Sequence, residues 1–287
     1  MPRVDIHQHL WPEAFITALE RREAAPRLRG ARLELEEASY ECDLEAHDLD
    51  LRLAALDRDE LDVAVMSLQP TLGIGRLPQG EQDELVAVWE TGMRELIAAS
   101  GGRLEALAVG HVAPGFVGSV VPAAALRDID SLSALLEQLH VAGGFLFVHP
   151  GGGVTPPGAP VWWAEILDYA AEMQAAYLTW LSYAQPRFQE VNVVFAILAG
   201  GGPFQLERLS SRGVDVRSSL HQNVFFETAS YGRRAIELCI ETFGVHQLVY
   251  GSDVPVIDPG PTLAAVRKFG DSVVQLIMAD NPSRLFS

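Results

Sequence analysis

Two histidines stand two residues apart near the start of the chain, His7 and His9 in VDIHQH. On a β-strand, residues i and i+2 share one face, so the two imidazoles converge. A lone inward His is usually a hydrogen-bonded core residue, whereas a pair at a strand end is the arrangement of a metal site. A third imidazole, His149, closes the apolar run GGFLFVHPGGG, where Pro150 and the glycines after it stop the strand. Asp253 follows LVYGS in the same kind of place, and a carboxylate ending a buried strand is costly unless paired or coordinated. Three imidazoles and a carboxylate suit one divalent metal, zinc first with manganese or iron as alternatives, and leave a position for water.

Other groups could move protons or hold a substrate. Asp253 can itself accept a proton from water that the metal acidifies to a pKa of about 7. Glu227, Tyr231 and His111 are further candidates for the reaction, each with a plainer reading: Glu227 would orient a ligand histidine, and His111 would cap a loop. His47 and His140 read as solvent-side helix residues, and His221 and His246 precede strands, at the wrong end for chemistry. Trp11, Arg52, Gln69 and Tyr231 are candidates for contacting substrate, with Arg76 behind Arg52, because the planar fork of arginine suits carboxylates, although a solvated helix charge is the plainer role of both arginines. Covalent catalysis has no support, since no GxSxG is present and neither Cys42 nor Cys239 lies in a catalytic pattern. The GGG run at Gly200 lacks the spacing of a phosphate loop.

What must position these residues is an alternation of short β-branched runs with longer helical patterns, the mark of parallel βα units. Strands are predicted near Val4–His9, Leu61–Leu68, Leu104–Val109, Val117–Val121, Phe145–His149, Val191–Leu198, Val224–Thr228 and Gln247–Gly251. Such a set predicts an α/β fold, a distorted (β/α)8 TIM barrel of the metal-dependent hydrolase type, whose chemistry sits at the C-terminal strand ends. Ser131–Ala142 and Arg233–Phe243 are spaced as amphipathic helices, and Gly200–Phe204 reads as a loop entering another helix. Too few residues separate the third and fourth strands for an ordinary parallel crossover, so either a helix is missing there or a strand is misplaced. One domain over 1–287 is expected. It carries a loop excursion at about 22–45 and an aromatic-rich insert at about 151–190, a lid, an oligomer contact or packing on the barrel's outside.

The 287 residues, 48% of them hydrophobic, are enough for a large core. A formal charge of −17 repels nucleic acid and anionic membranes, which leaves a small molecule as the expected partner and allows a homo-oligomer. Lys268 is the sole lysine, so an anionic group would be gripped by arginine. Two cysteines cannot build a disulfide framework, and the first residues carry no signal-like pattern. A soluble cytoplasmic protein is expected.

With HxH after the first strand, a strand-ending HPG, GSDVP at the last strand, and HLWPE, FETASYG and DNPSRLF elsewhere, the chain resembles the amidohydrolase superfamily. The closest resemblance is to the branch of aminocarboxymuconate semialdehyde decarboxylase. That resemblance implies a barrel in which His7, His9, His149 and Asp253 bind one divalent metal, usually zinc. The family usually carries a further His after the sixth strand, but FAILAGGG puts Ile197, Leu198 or Ala199 there. The expected activity is hydrolysis, a metal-held water attacking an amide, ester or lactone carbonyl. The alternatives are non-oxidative decarboxylation of an aromatic or unsaturated acid and a non-catalytic barrel that keeps its metal.

Overall fold

The computed structural model describes residues 1–216 and 221–286. Eight parallel strands run in sequence order around a barrel: β1 Val4–Gln8, β2 Val63–Met66, β3 Leu104–Val109, β4 Gly118–Pro122, β5 Phe145–His149, β6 Asn192–Phe195, β7 Val224–Glu227 and β8 Leu248–Val249. The ring closes where the chain beyond β8 bonds to β1: Ile6 N–H donates to Tyr250 O at 3.0 Å, His9 N–H to Val254 O at 2.8 Å, and Asp253 N–H to His7 O at 2.8 Å. Each expected strand is present: β3 and β5 keep the expected bounds, β4 is shifted by one residue, and the other five are shorter. The β1–β2 register slips between Asp5 and Gln8. This irregularity re-aims the backbone where the two histidines leave the strand.

The longer helices are α1 Glu13–Arg21, α2 Leu49–Arg58, α3 Gln79–Ala99, α4 Ile129–Ala142, α5 Tyr169–Thr179, α6 Ile197–Ser210, α7 Arg233–Phe243 and α8 Gly260–Arg267, with short helical pieces after α8. Asp48 and Asp128 cap α2 and α4 by accepting from Leu51 N–H and Ser131 N–H. Such caps satisfy amides that a helix start leaves unpaired.

The short β3–β4 link is real: Leu107 pairs with Gly118 and Val109 with Val120, and no helix intervenes. Phe116 of that link lies against Trp89 of α3, with the Arg94 guanidinium over its ring, so an aromatic side chain covers the flank that a helix would cover.

One expectation changes. Within the stretch read as a loop excursion, Arg27–Arg29, Arg32–Glu34 and Ser39–Glu41 form an antiparallel sheet. The insert is helical, with α5 between single π-turns at Ala164–Asp168 and Trp180–Ala184. Its Tyr177 packs edge-on against Phe195 and Phe226, and Trp180 reaches Phe195; these two rings dock the insert on the barrel. Trp162 and Tyr183 stay exposed.

Entry into α6 is unusual. Ile197, Leu198, Ala199, Gly200 and Gly201 all have positive φ, between 46° and 89°. Left-handed backbone costs an L-residue roughly 1–2 kcal/mol, and three of these five carry side chains. The turn is held from outside: a Cβ on Gly200 would run into the backbone of Ala170, and Gln174 Nε2 donates to Gly200 O at 2.6 Å.

Candidate metal centre

His7, His149 and Glu227 stand at the C-terminal ends of β1, β5 and β7, with His9 just past β1 and Asp253 just past β8, so all five face one barrel mouth. One ligand atom from each of His7, His9, His149 and Asp253 lies within 4.8 Å of the others. The imidazoles meet nearly perpendicular, with His7 centroids 4.9 Å from His9 and 5.0 Å from His149. Asp253 sits at φ 60° and its Oδ1 lies 2.9 Å from His9 Nε2 and 3.4 Å from His7 Nε2. Its side chain is 14% exposed, whereas those of His7 and His9 are fully covered.

Each ring is oriented through Nδ1. His7 Nδ1 lies 2.9 Å from Glu227 Oε2, His9 Nδ1 2.8 Å from Ser67 O, and His149 Nδ1 2.8 Å from Pro150 O. Acceptors at all three Nδ1 atoms place the protons there and leave the Nε2 lone pairs facing inward, the arrangement of metal-ligating histidines. His7 Nε2 and His9 Nε2 are then 3.2 Å apart. Two lone pairs at that separation repel unless a cation lies between them, so the donor set fits a divalent ion.

The charge balance agrees. Burial opposes a charge on His7, but Glu227 and Asp253 outweigh it and raise its pKa to about 9. Burial lowers His9 and, with His7 and His9 nearby, holds His149 well below the usual imidazole range. Burial would raise Asp253, but the surrounding imidazoles draw it below the ordinary carboxylate range. The cluster calls for positive charge, which a metal supplies in place of the proton on His7.

Glu227 is fully buried, and Oε2 also accepts from Ile197 N–H at 3.1 Å while Oε1 accepts from Ala229 N–H. His111 is set apart: it is half-exposed and directed at Val109 O and Glu90 of α3. Arg52 is buried with its guanidinium given to Gln8 Oε1 at 2.8 Å, Ala46 O at 2.7 Å and His9 O at 3.2 Å, bracing β1 and the residues after it. Trp11 Nε1 donates to Gln69 Oε1 at 2.9 Å, and both are buried. Tyr231 is half-buried beside α8, its carbonyl accepting from Thr262. His47 is a correction: it is buried, stacked on Trp11, and accepts from Trp11 N–H. It closes the single 3₁₀ turn Glu45–His47, which tucks it under Trp11, so helix spacing misplaced it.

Sequence reasoning missed the grip on the loop after His149. Gly151 N–H donates to Glu172 at 2.7 Å, Gly153 N–H to Glu37 at 2.6 Å and Val154 N–H to Asp168 at 2.7 Å. Nothing local in Glu37, Asp168 or Glu172 announces these contacts.

The chain is 22% identical over 278 residues to a 2-amino-3-carboxymuconate-6-semialdehyde decarboxylase of Dictyostelium discoideum, covering 84% of this chain and 77% of that protein. Its fold matches an apo IDCase of Metarhizium anisopliae at TM-score 0.76, with 20% identity over 99% of this chain and 97% of that one. It also matches a 5-carboxyvanillate decarboxylase of Novosphingobium aromaticivorans, solved with manganese, at TM-score 0.74 and 14% identity, over 99% and 96% of the two chains. The family model described as amidohydrolase matches residues 4–287, and the chain belongs to that family.

Proposed function

We propose that the chain is a metal-dependent, non-oxidative decarboxylase of an aromatic or unsaturated carboxylic acid. The observation that carries this reading is the likeness to the muconate-semialdehyde decarboxylase over 84% of the chain, joined to an intact four-ligand group. His7, His9, His149 and Asp253 would hold the ion, with zinc the best match to three imidazoles and a carboxylate. When bound, a divalent ion steadies the negative charge of the acid and of the breaking carbon–carbon bond.

The chain's own residues do the rest. Asp253, the ligand side chain open to the mouth, takes a proton from a water molecule and passes it to the carbon that loses carbon dioxide, so that hydrogen replaces the carboxylate and the hydroxide left behind ends as bicarbonate. Glu227 fixes the His7 ring. Ile197, Leu198 and Ala199, among which the family resemblance implies a histidine, bring no second proton donor.

The test is product analysis of metal-loaded protein. Hydroxylated benzoates and unsaturated acids labelled at the carboxyl carbon should release labelled carbon dioxide. Turnover confined to amides, esters or lactones, with no gas released, would replace this reading with hydrolysis.

A further inference from the structure

We propose that Glu172 of α5 is a positioning residue for the His149 ligand, acting through the single peptide group that joins Pro150 to Gly151. The proposal rests on the metal-centre reading above and concerns how one of its ligands is oriented.

The Pro150 carbonyl that receives His149 Nδ1–H, at 2.8 Å, belongs to the same peptide unit as the Gly151 N–H that donates to Glu172 Oε2, at 2.7 Å. A peptide unit is planar and rigid, with C=O and N–H pointing opposite ways. Fixing the N–H therefore fixes the direction of the carbonyl, and the carbonyl fixes the ring. All the hydrogen bonds point the same way, from imidazole through amide to carboxylate, so each polarises the next. The Glu172 charge thereby makes the carbonyl a stronger acceptor and Nε2 a better donor to a cation. It does at one peptide's remove what Glu227 does to His7 directly.

The fit around this peptide is close. A Cβ on Gly151 would lie 3.2 Å from Glu172 Oε1 and 3.1 Å from the Pro122 ring. Glu172 also accepts from the backbone of Ala124, beyond β4, so its carboxylate is anchored to the barrel. Asp168 and Glu37 hold the same loop further on, at Val154 and Gly153, where no peptide leads directly to a ligand ring.

The experiment is cobalt(II) binding by the full chain, read as affinity against a competing chelator and as the visible absorption of the bound ion. Glu172→Gln should weaken binding by about tenfold, the scale of such supporting partners, and shift the absorption bands. Asp168→Asn should stay within about twofold of the parent. Should Glu172→Gln fail to fold, Glu172→Asp carries the test, with a loss of several-fold expected. Parent-like affinity and spectrum in every folded Glu172 variant overturns the proposal, and so does an equal loss in Asp168→Asn, which would point to general loosening of the loop. A parent chain that binds no cobalt removes the metal centre itself and the proposal with it, an outcome distinct from a parent that binds and variants that bind equally.

Discussion

His7 Nδ1 and Glu227 Oε2 lie 2.9 Å apart, both side chains fully buried, and that same carboxylate oxygen receives the backbone N–H of Ile197. One carboxylate thus joins a ligand on β1 to the turn that follows β6. Glu227→Gln cannot serve both roles, because its amide nitrogen must face a donor from Ile197 or Ala229. We expect metal affinity to fall about 10- to 100-fold and stability to drop by about 1–3 kcal/mol. Chelator competition and urea unfolding measure the two, and parent-like values in both would remove Glu227 from the centre.

Asp253→Asn should lower carbon dioxide release about 100-fold or more, the usual loss with a proton-transfer group, while circular dichroism stays that of the parent. Asparagine accepts left-handed backbone readily, so φ 60° at this position survives the change. A rate within about threefold of the parent would exclude Asp253 from the chemistry.

Restoring a histidine after β6 should not raise the rate. Ala199 is fully buried, and an imidazole there should cost about 1–3 kcal/mol through overpacking. Ile197 is half-buried, so Ile197→His should fold and turn over no faster. A tenfold gain in kcat from Ile197→His would show that the apolar turn is a loss and not a working alternative.

His47 should make the fold acid-sensitive. Burial, with the Arg52 charge nearby, pushes its pKa down to about 3. The unfolded chain takes up a proton near pH ~6.5 that the folded chain refuses. Stability is therefore complete above that pH and is lost below it, by roughly 1 kcal/mol per pH unit. In His47→Asn, whose side-chain oxygen can still accept from Trp11 N–H, the melting temperature should fall less steeply between about pH 6.5 and 4.5 than in the parent. Parallel slopes would assign the acid sensitivity elsewhere.

The barrel was legible because its strands are runs of Val, Leu, Phe and Ala that alternate with helical spacing, and the four ligands because they end those runs. The small sheet over residues 27–41 was not, since its three-residue strands are half charged and offer no period. Residue type and helix spacing left Arg52 either a substrate contact or a solvated helix charge, yet it is buried and its guanidinium is spent on backbone carbonyls and Gln8. The Glu172 contact joins α5 to the loop after β5, and local pattern carries no trace of such a pairing. The left-handed run at 197–201 was hidden for another reason: Ile, Leu and Ala give no hint of positive φ, because the backbone of Ala170 and the Glu227 carboxylate impose it.

That run bears on how this chain is compared with its relatives. In a left-handed turn the backbone winds the opposite way while each Cα keeps its L configuration, so the side chains leave in directions that an ordinary helix start does not give them. A residue at 197, 198 or 199 therefore occupies a different volume from the residue written in the same alignment column of a relative that enters its helix right-handed. Across these positions columns cease to be places, and the catalytic equivalence of a residue here has to be judged by superposition of atoms and not by matching letters.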